Sequence, residues 1–95
     1  MAELNIAEIP YETGELKFRY SRYLSRDGSR WLRHGLFRAY YPSGELQSDG
    51  NYVDGHEHGT WRDFHKNGQL AAEGQYEHGV ESGEWKYWRE DGSSE

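Results

Sequence analysis

A Gly-x-aromatic triplet that returns at a fixed interval is the strongest constraint on the fold. Gly35-Leu36-Phe37, Gly59-Thr60-Trp61 and Gly83-Glu84-Trp85 are spaced 24 residues apart. Tyr40, Phe64 and Trp88 follow at the same interval, as do Gly44, Gly68 and Gly92. Leu46 matches Leu70, Gly50 matches Gly74, Tyr52 matches Tyr76, and Gly55 matches Gly79. So many coincidences at one offset mark a repeat architecture, in which each unit buries its apolar side only by stacking on its neighbours. A degraded copy comes first. Tyr11-Glu12-Thr13-Gly14-Glu15-Leu16 parallels Tyr41-Pro42-Ser43-Gly44-Glu45-Leu46, but Gly14 lies 30 residues before Gly44. The extra residues fall between Tyr20 and Arg33, around Asp27-Gly28, as a longer loop or longer strands. The chain therefore divides into an atypical capping repeat with an insertion (1–34), two regular repeats (35–58 and 59–82) and a terminal half repeat (83–95).

Turn dipeptides cut each unit into short strands, so the fold class is all-β. Ser43-Gly44, Asn67-Gly68 and Asp91-Gly92 read as two-residue hairpin turns, since Gly accepts the positive φ such turns require. Asp54-Gly55 and His78-Gly79 mark the return connections. In the second strand of each unit, Leu46, Gly50 and Tyr52 share one parity, as do Leu70, Ala72, Gly74 and Tyr76. Gln47, Asp49 and Asn51, like Glu73, Gln75 and Glu77, take the other. Opposite parities face opposite sides of a strand, so one side is apolar and the other polar and mostly acidic. The first strand is less regular. Phe37, Trp61 and Trp85 stand three residues before Tyr40, Phe64 and Trp88, so a flat strand would aim the two ring columns at opposite faces. Either a bulge brings both to the core, or the second column stands outside beside Arg38, Arg62 and Lys86. The expected core is Phe37, Leu46, Tyr52, Trp61, Leu70, Tyr76 and Trp85.

Only 34% of the residues are apolar, yet 16% are aromatic, so rings must supply most of the buried area. With no cysteine, a disulfide framework and a thiolate metal site are both ruled out. No apolar run reaches the roughly 20 residues of a membrane span, and Met1-Ala2-Glu3-Leu4-Asn5 lacks the pattern of a signal peptide. The expected location is the cytoplasm. Net charge is −6, unevenly spread. Residues 14–38 carry +5 and residues 39–95 carry −8. Such a chain repels nucleic-acid backbones and anionic membranes, which leaves a basic protein as the expected partner.

The segment Gly59-Thr60-Trp61, Phe64, Asn67-Gly68-Gln69-Leu70, Glu73-Gly74-Gln75-Tyr76 and Gly79 resembles the MORN repeat, in the bacterial variant found in proteins classed as YwqK-family antitoxins. The resemblance covers residues 11–92. It is strong from Gly35 onward and weaker over Tyr11 to Arg33, where the triplet is missing. It implies an elongated antiparallel β-meander of stacked hairpins, a single-layer twisted sheet with aromatics along one side. It also implies a protein-binding scaffold and, for the bacterial variant, a cytoplasmic antitoxin or immunity protein. Other MORN proteins have been linked to phosphoinositide lipids, a role the acidic 39–95 stretch argues against.

Catalysis finds little support in the residues. His56 and His58 share a parity, and His34 and His58 are equivalent positions near Asp54 and Glu57. These histidines fall in return connections and lack the helical i, i+4 spacing of zinc hydrolases, so neither a metal site nor a cofactor is expected. Glu73, Glu77 and Asp49 read as a solvated face, because acid–base chemistry needs a concave, desolvated site. The basic stretch Arg19, Arg22, Arg26, Arg30 and Arg33, interleaved with Tyr20, Tyr23 and Trp31, suits single-stranded nucleic acid or a cation–π network joining the first two repeats. The second is the expectation. The chain is therefore expected to be a non-catalytic antitoxin or immunity protein that occludes a basic cognate toxin. The expected contacts are Arg38, Tyr40, Asp49, Arg62, Phe64, Glu73 and Trp88. The alternative is an assembly module that self-associates through its last strand, Trp85 to Glu90, with Trp85, Tyr87 and Trp88 as anchors.

Overall fold

A computed structural model describes residues 3–95. Seven strands follow one another in space as in sequence: β1 (Asn5–Pro10), β2 (Leu16–Leu24), β3 (Trp31–Tyr40), β4 (Leu46–Val53), β5 (His56–Phe64), β6 (Leu70–Glu77) and β7 (Val80–Tyr87). Every neighbouring pair is antiparallel. The expected all-β meander is thus the observed fold, a single open sheet measuring 48 × 37 × 16 Å.

Two kinds of connection alternate, and the sequence reading had them reversed in part. The two-residue turns are Asp54-Gly55 and His78-Gly79, where φ is 49° and 90°, then 51° and 84°. Positive φ at both central residues defines the primed turn that matches strand twist. Ser43-Gly44, Asn67-Gly68 and Asp91-Gly92 instead sit inside longer loops. There, Tyr41 N donates to Glu45 O and Gly44 N to Tyr41 O, a pattern repeated at His65–Gln69, Arg89–Ser93 and Tyr11–Glu15. Only the glycine is left-handed in these loops, which explains why Ser, Asn and Asp are all accepted before it. The extra residues of the first unit lengthen β2 and β3 and add a turn at Ser25–Arg30, closed by Ser25 N to Arg30 O at 2.8 Å.

The Gly-x-aromatic triplet is a bulge. Between the pairs Asp49–Arg62 and Asn51–His58, β4 advances two residues while β5 advances four. The same slip recurs between Glu73–Lys86 and Gln75–Ser82, and between Tyr20–Phe37 and Arg22–Arg33. Gly35, Gly59 and Gly83 take up the slip with φ of 88°, 78° and 67°, values that side-chain-bearing residues resist. The bulge throws each following ring across the neighbouring strand, where Trp61 lies on Gly50 and Trp85 on Gly74.

One continuous ladder of rings results. Phe37 meets Phe18, Tyr20, Tyr52 and Trp61 at centroid distances of 5.8, 6.2, 5.4 and 5.5 Å. Trp61 stands edge-on to Tyr76 at 5.9 Å, and Tyr76 to Trp85 at 5.2 Å. Phe37, Ala39 and Trp61 form the buried cluster, with Tyr52, Tyr76 and Trp85 packed against it. Leu46 and Leu70, expected in the core, are half-buried outside that cluster; they stand at the loop ends of their hairpins, in register with Tyr40 and Phe64.

Candidate polar interaction face

Register partners share a face of an antiparallel sheet. Phe37 is paired with Gly50 on the ring side, so its chain neighbour Arg38 is on the other. From Arg38 the pairing runs outward in both directions. Arg38 faces Asp49, Asp49 faces Arg62, Arg62 faces Glu73, and Glu73 faces Lys86. On the other side Arg38 faces Arg19, and Arg19 faces Glu8. A single transverse row of seven charged residues therefore crosses all seven strands. At the usual strand spacing of about 4.8 Å its length is about 29 Å.

Four of the seven expected contact residues, Arg38, Asp49, Arg62 and Glu73, belong to this row. The face was expected to be mostly acidic, and along the row it is not. From β3 onward the first strand of each hairpin contributes the base and the second the acid, because Arg38, Arg62 and Lys86 are repeat equivalents, as are Asp49 and Glu73. In the first hairpin the order is inverted: Glu8 stands where the later units have a base, and Arg19 where they have an acid. The inversion leaves Arg19 beside Arg38. Arg19 Nε reaches Glu8 Oε2 at 3.6 Å, and Arg62 Nε reaches Asp49 Oδ1 at 3.5 Å, so Asp49 pairs with Arg62 and leaves Arg38 at the middle of the row, like Lys86 on the last strand, open to an outside anion. Leu36, Arg38, Asp49, Asn51, Thr60 and Arg62 line a shallow groove here.

Tyr40, Phe64 and Trp88 take a different part. The register slips just before Tyr40 and just before Phe64, so the expected irregularity is present. It does not bring these rings into the ladder, whose members are the residues of the first column and the tyrosines and phenylalanine beside them. All three are half-buried. Their backbones serve as anchors: Tyr11 Oη donates to Tyr40 O at 2.7 Å, Tyr41 Oη donates to Phe64 O at 2.6 Å, and His65 Nε2 lies 2.7 Å from Trp88 O. Each loop's first side chain thus ties its unit to the next. Sequence reasoning missed these ties, along with Glu8 and Arg19 in the row; Lys86 it grouped with Arg38 and Arg62 without counting it as a contact. The offset of 30 residues that relates Glu8 to Arg38, and Arg19 to Asp49, would have revealed the two it missed.

The basic insertion forms the expected cation–π network. The Arg33 guanidinium lies 4.7, 5.3 and 5.4 Å from the rings of Tyr20, Phe37 and Tyr52, and Arg22 lies 4.0 Å from that of Trp31. Among the described residues no cluster of three or more His, Cys, Asp or Glu is placed to hold a metal. His34 Nδ1 accepts the Asp54 amide at 3.1 Å, and the His58 and His78 rings lie 5.5 Å apart. The carboxyls that depart from their usual range, Glu15, Asp27, Glu45 and Asp91, all lie in loops. Neighbouring hydroxyls hold each of them below it. A general acid needs the opposite shift. No helix among the described residues is long and apolar enough to cross a membrane.

Comparison with known families gives the same picture of the repeats. Residues 33–54 and 57–78 each match the family model described as MORN repeat variant. The two matches fall on β3–β4 and β5–β6 with the loops between them, beginning at Arg33 and Glu57. MORN repeats are in general protein- or membrane-binding units. No curated protein and no solved structure matches the chain.

Proposed function

We propose that this MORN-repeat chain is a non-catalytic binding module that neutralises one basic cognate protein, acting as an antitoxin or immunity-type inhibitor. The charged row carries the reading: it presents charges of both signs, alternating from Arg38 onward, along an open strip, an arrangement suited to fixing the register of a partner surface rather than to bond chemistry. The net charge of −6 would speed encounter with a basic partner, while the row selects among partners, since like charges placed opposite one another are penalised. Arg38 and the shallow groove beside it form the centre of the contact. Inhibition follows from occlusion of the partner's active surface. The likeness of the repeats to the MORN repeat variant supports a binding role, the antitoxin form rests on the resemblance carried by Gly59 to Gly79, and the cytoplasm is the compartment in which such an inhibitor would act.

The competing assembly reading has a weaker footing. Trp88 bridges to Ser94, and Glu95 N donates to Tyr87 O at 3.0 Å. The outer edge is thus occupied at two of the residues that would anchor a second copy.

The test is growth rescue. The product of the neighbouring gene is expressed alone and together with this chain. Growth arrest relieved by the chain, and restored when Arg38 and Arg62 are both changed to Glu, supports the proposal. Arrest that the wild-type chain leaves untouched refutes the antitoxin form. Relief that survives the double reversal refutes the row.

A further inference from the structure

On the ring side of the sheet, the first unit seats a cation of its own. In the first unit Arg33 extends from β3 over Tyr20, Phe37 and Tyr52, and its Nη1 lies 3.3 Å from Tyr52 Oη. Repeat equivalence places Glu57 and then Glu81 at the position of Arg33. The pairings agree: Arg33 is in register with Arg22, Glu57 with Tyr52, and Glu81 with Tyr76. Two of the three rings beneath are repeated, Trp61 replacing Phe37 and Tyr76 replacing Tyr52, with Trp85 continuing the row, while Gly50 takes the place of Tyr20. The cation is not repeated. Among the described residues every cation seated on a ring, Lys17, Arg22 or Arg33, lies over a ring of Tyr11, Phe18, Tyr20, Trp31, Phe37 or Tyr52.

We propose that Trp61, Tyr76 and Trp85, together with Glu57 and Glu81, form a seat for an arginine side chain supplied by a partner polypeptide. Trp61 is the buried floor, 8% exposed, while Tyr76 and Trp85 remain half-open. Tyr76 stands nearly perpendicular to both indoles, at 78° to each. A planar guanidinium can therefore lie against a ring face while its N–H groups point to carboxylates on either side. The two carboxylates come from the strands flanking Tyr76, whose phenol is held above the ordinary range by burial first and then by the charges of Glu81 and Glu57. The acids that replace Arg33 thus change the site from self-occupied to ligand-accepting. Arginine fits better than lysine, since a point charge cannot stack and fork at once. The seat lies on the face opposite Arg38 and goes beyond the charged row, so either surface can fail its test without the other.

The probe is N-acetyl-L-arginine amide, titrated into the full chain and followed by NMR at the indole N–H groups. Those of Trp61 and Trp85 are fixed by bonds to Asn51 O and Gln75 O at 3.0 and 3.2 Å. Trp31, already covered by Arg22, is the internal control. Saturable shifts at Trp61 and Trp85 but not Trp31, with N-acetyl-L-lysine amide binding more weakly, support the seat. Glu57→Arg supplies the cation from within, as Arg33 does, and should weaken the probe by about tenfold while the fold is kept. Glu57→Gln with Glu81→Gln gives a second route, with an expected loss of about fivefold. Equal shifts at all three indoles would overturn the seat. So would a folded Glu57→Arg variant, or the double Gln variant, that binds as the parent does.

Discussion

Gly50 lies face to face with the indole of Trp61, so close that a Cβ on Gly50 would come within 2.2 Å of its ring carbons. The same holds for Gly74 and Trp85. These glycines are kept for space, not for backbone freedom, since neither has positive φ. Gly59 is the converse case, with φ of 78° and nothing within 4 Å of the position of a Cβ.

The two causes separate by mutation. Gly50→Ala should cost about 3 kcal/mol, because Trp61 must leave its place in the ladder. Gly59→Ala should cost about 1–2 kcal/mol, the backbone penalty alone. Urea unfolding measures both, and Trp61 fluorescence should shift only in the first.

Loss of a loop tie should weaken one junction between units and no other. Tyr41→Phe removes the bond to Phe64 O and should cost about 0.5–1.5 kcal/mol. Amide exchange should quicken near Phe64 and not near Tyr11, whose own bond goes to Tyr40 O.

Arg33→Met keeps most of the stem over Tyr20, Phe37 and Tyr52 and removes the charge. A loss of about 1 kcal/mol is expected, with Arg33→Lys between the two. Thermal unfolding of the three proteins checks the order.

Asp27 is held down to about 2 by its bonds to the hydroxyls of Ser29 and Ser25. A carboxyl depressed in the folded state stabilises above its unfolded value of 3.8, and that contribution fades as pH falls through the folded value. Carboxyl NMR should show Asp27 titrating near 2 in the parent. In Ser25→Ala with Ser29→Ala the midpoint should return toward the ordinary range.

The ring ladder was legible in the sequence because Phe37, Trp61 and Trp85 are related by a single offset, and a repeat places equal residues in equal surroundings. The functions of the glycines were not. Gly59 and Gly50 are the same letter, yet one bends the chain and the other makes room for a ring, a distinction that depends on the register of two strands. The turns were misread for a similar reason. Asn67-Gly68 and Asp54-Gly55 look alike, but the first sits in a longer loop that His65 N closes on Gln69 O, and the second is a two-residue turn. The candidate face was half visible. Parity put Arg38, Asp49, Arg62 and Glu73 outside the core, but their order as alternating charges depends on pairing across strands. Glu8 and Arg19 were hidden by the six-residue change of spacing in the first unit.

The functional account rests on Arg38 being a cation at the middle of the row that, among the described residues, no carboxylate of the chain holds, so that an outside anion can claim it. Affinity for the neutralised partner should therefore be measured for Arg38→Ala beside Arg62→Ala, whose arginine is already paired with Asp49. The account predicts a loss of about tenfold or more for Arg38→Ala and a smaller one for Arg62→Ala. Equal, unchanged affinity in both variants would contradict it.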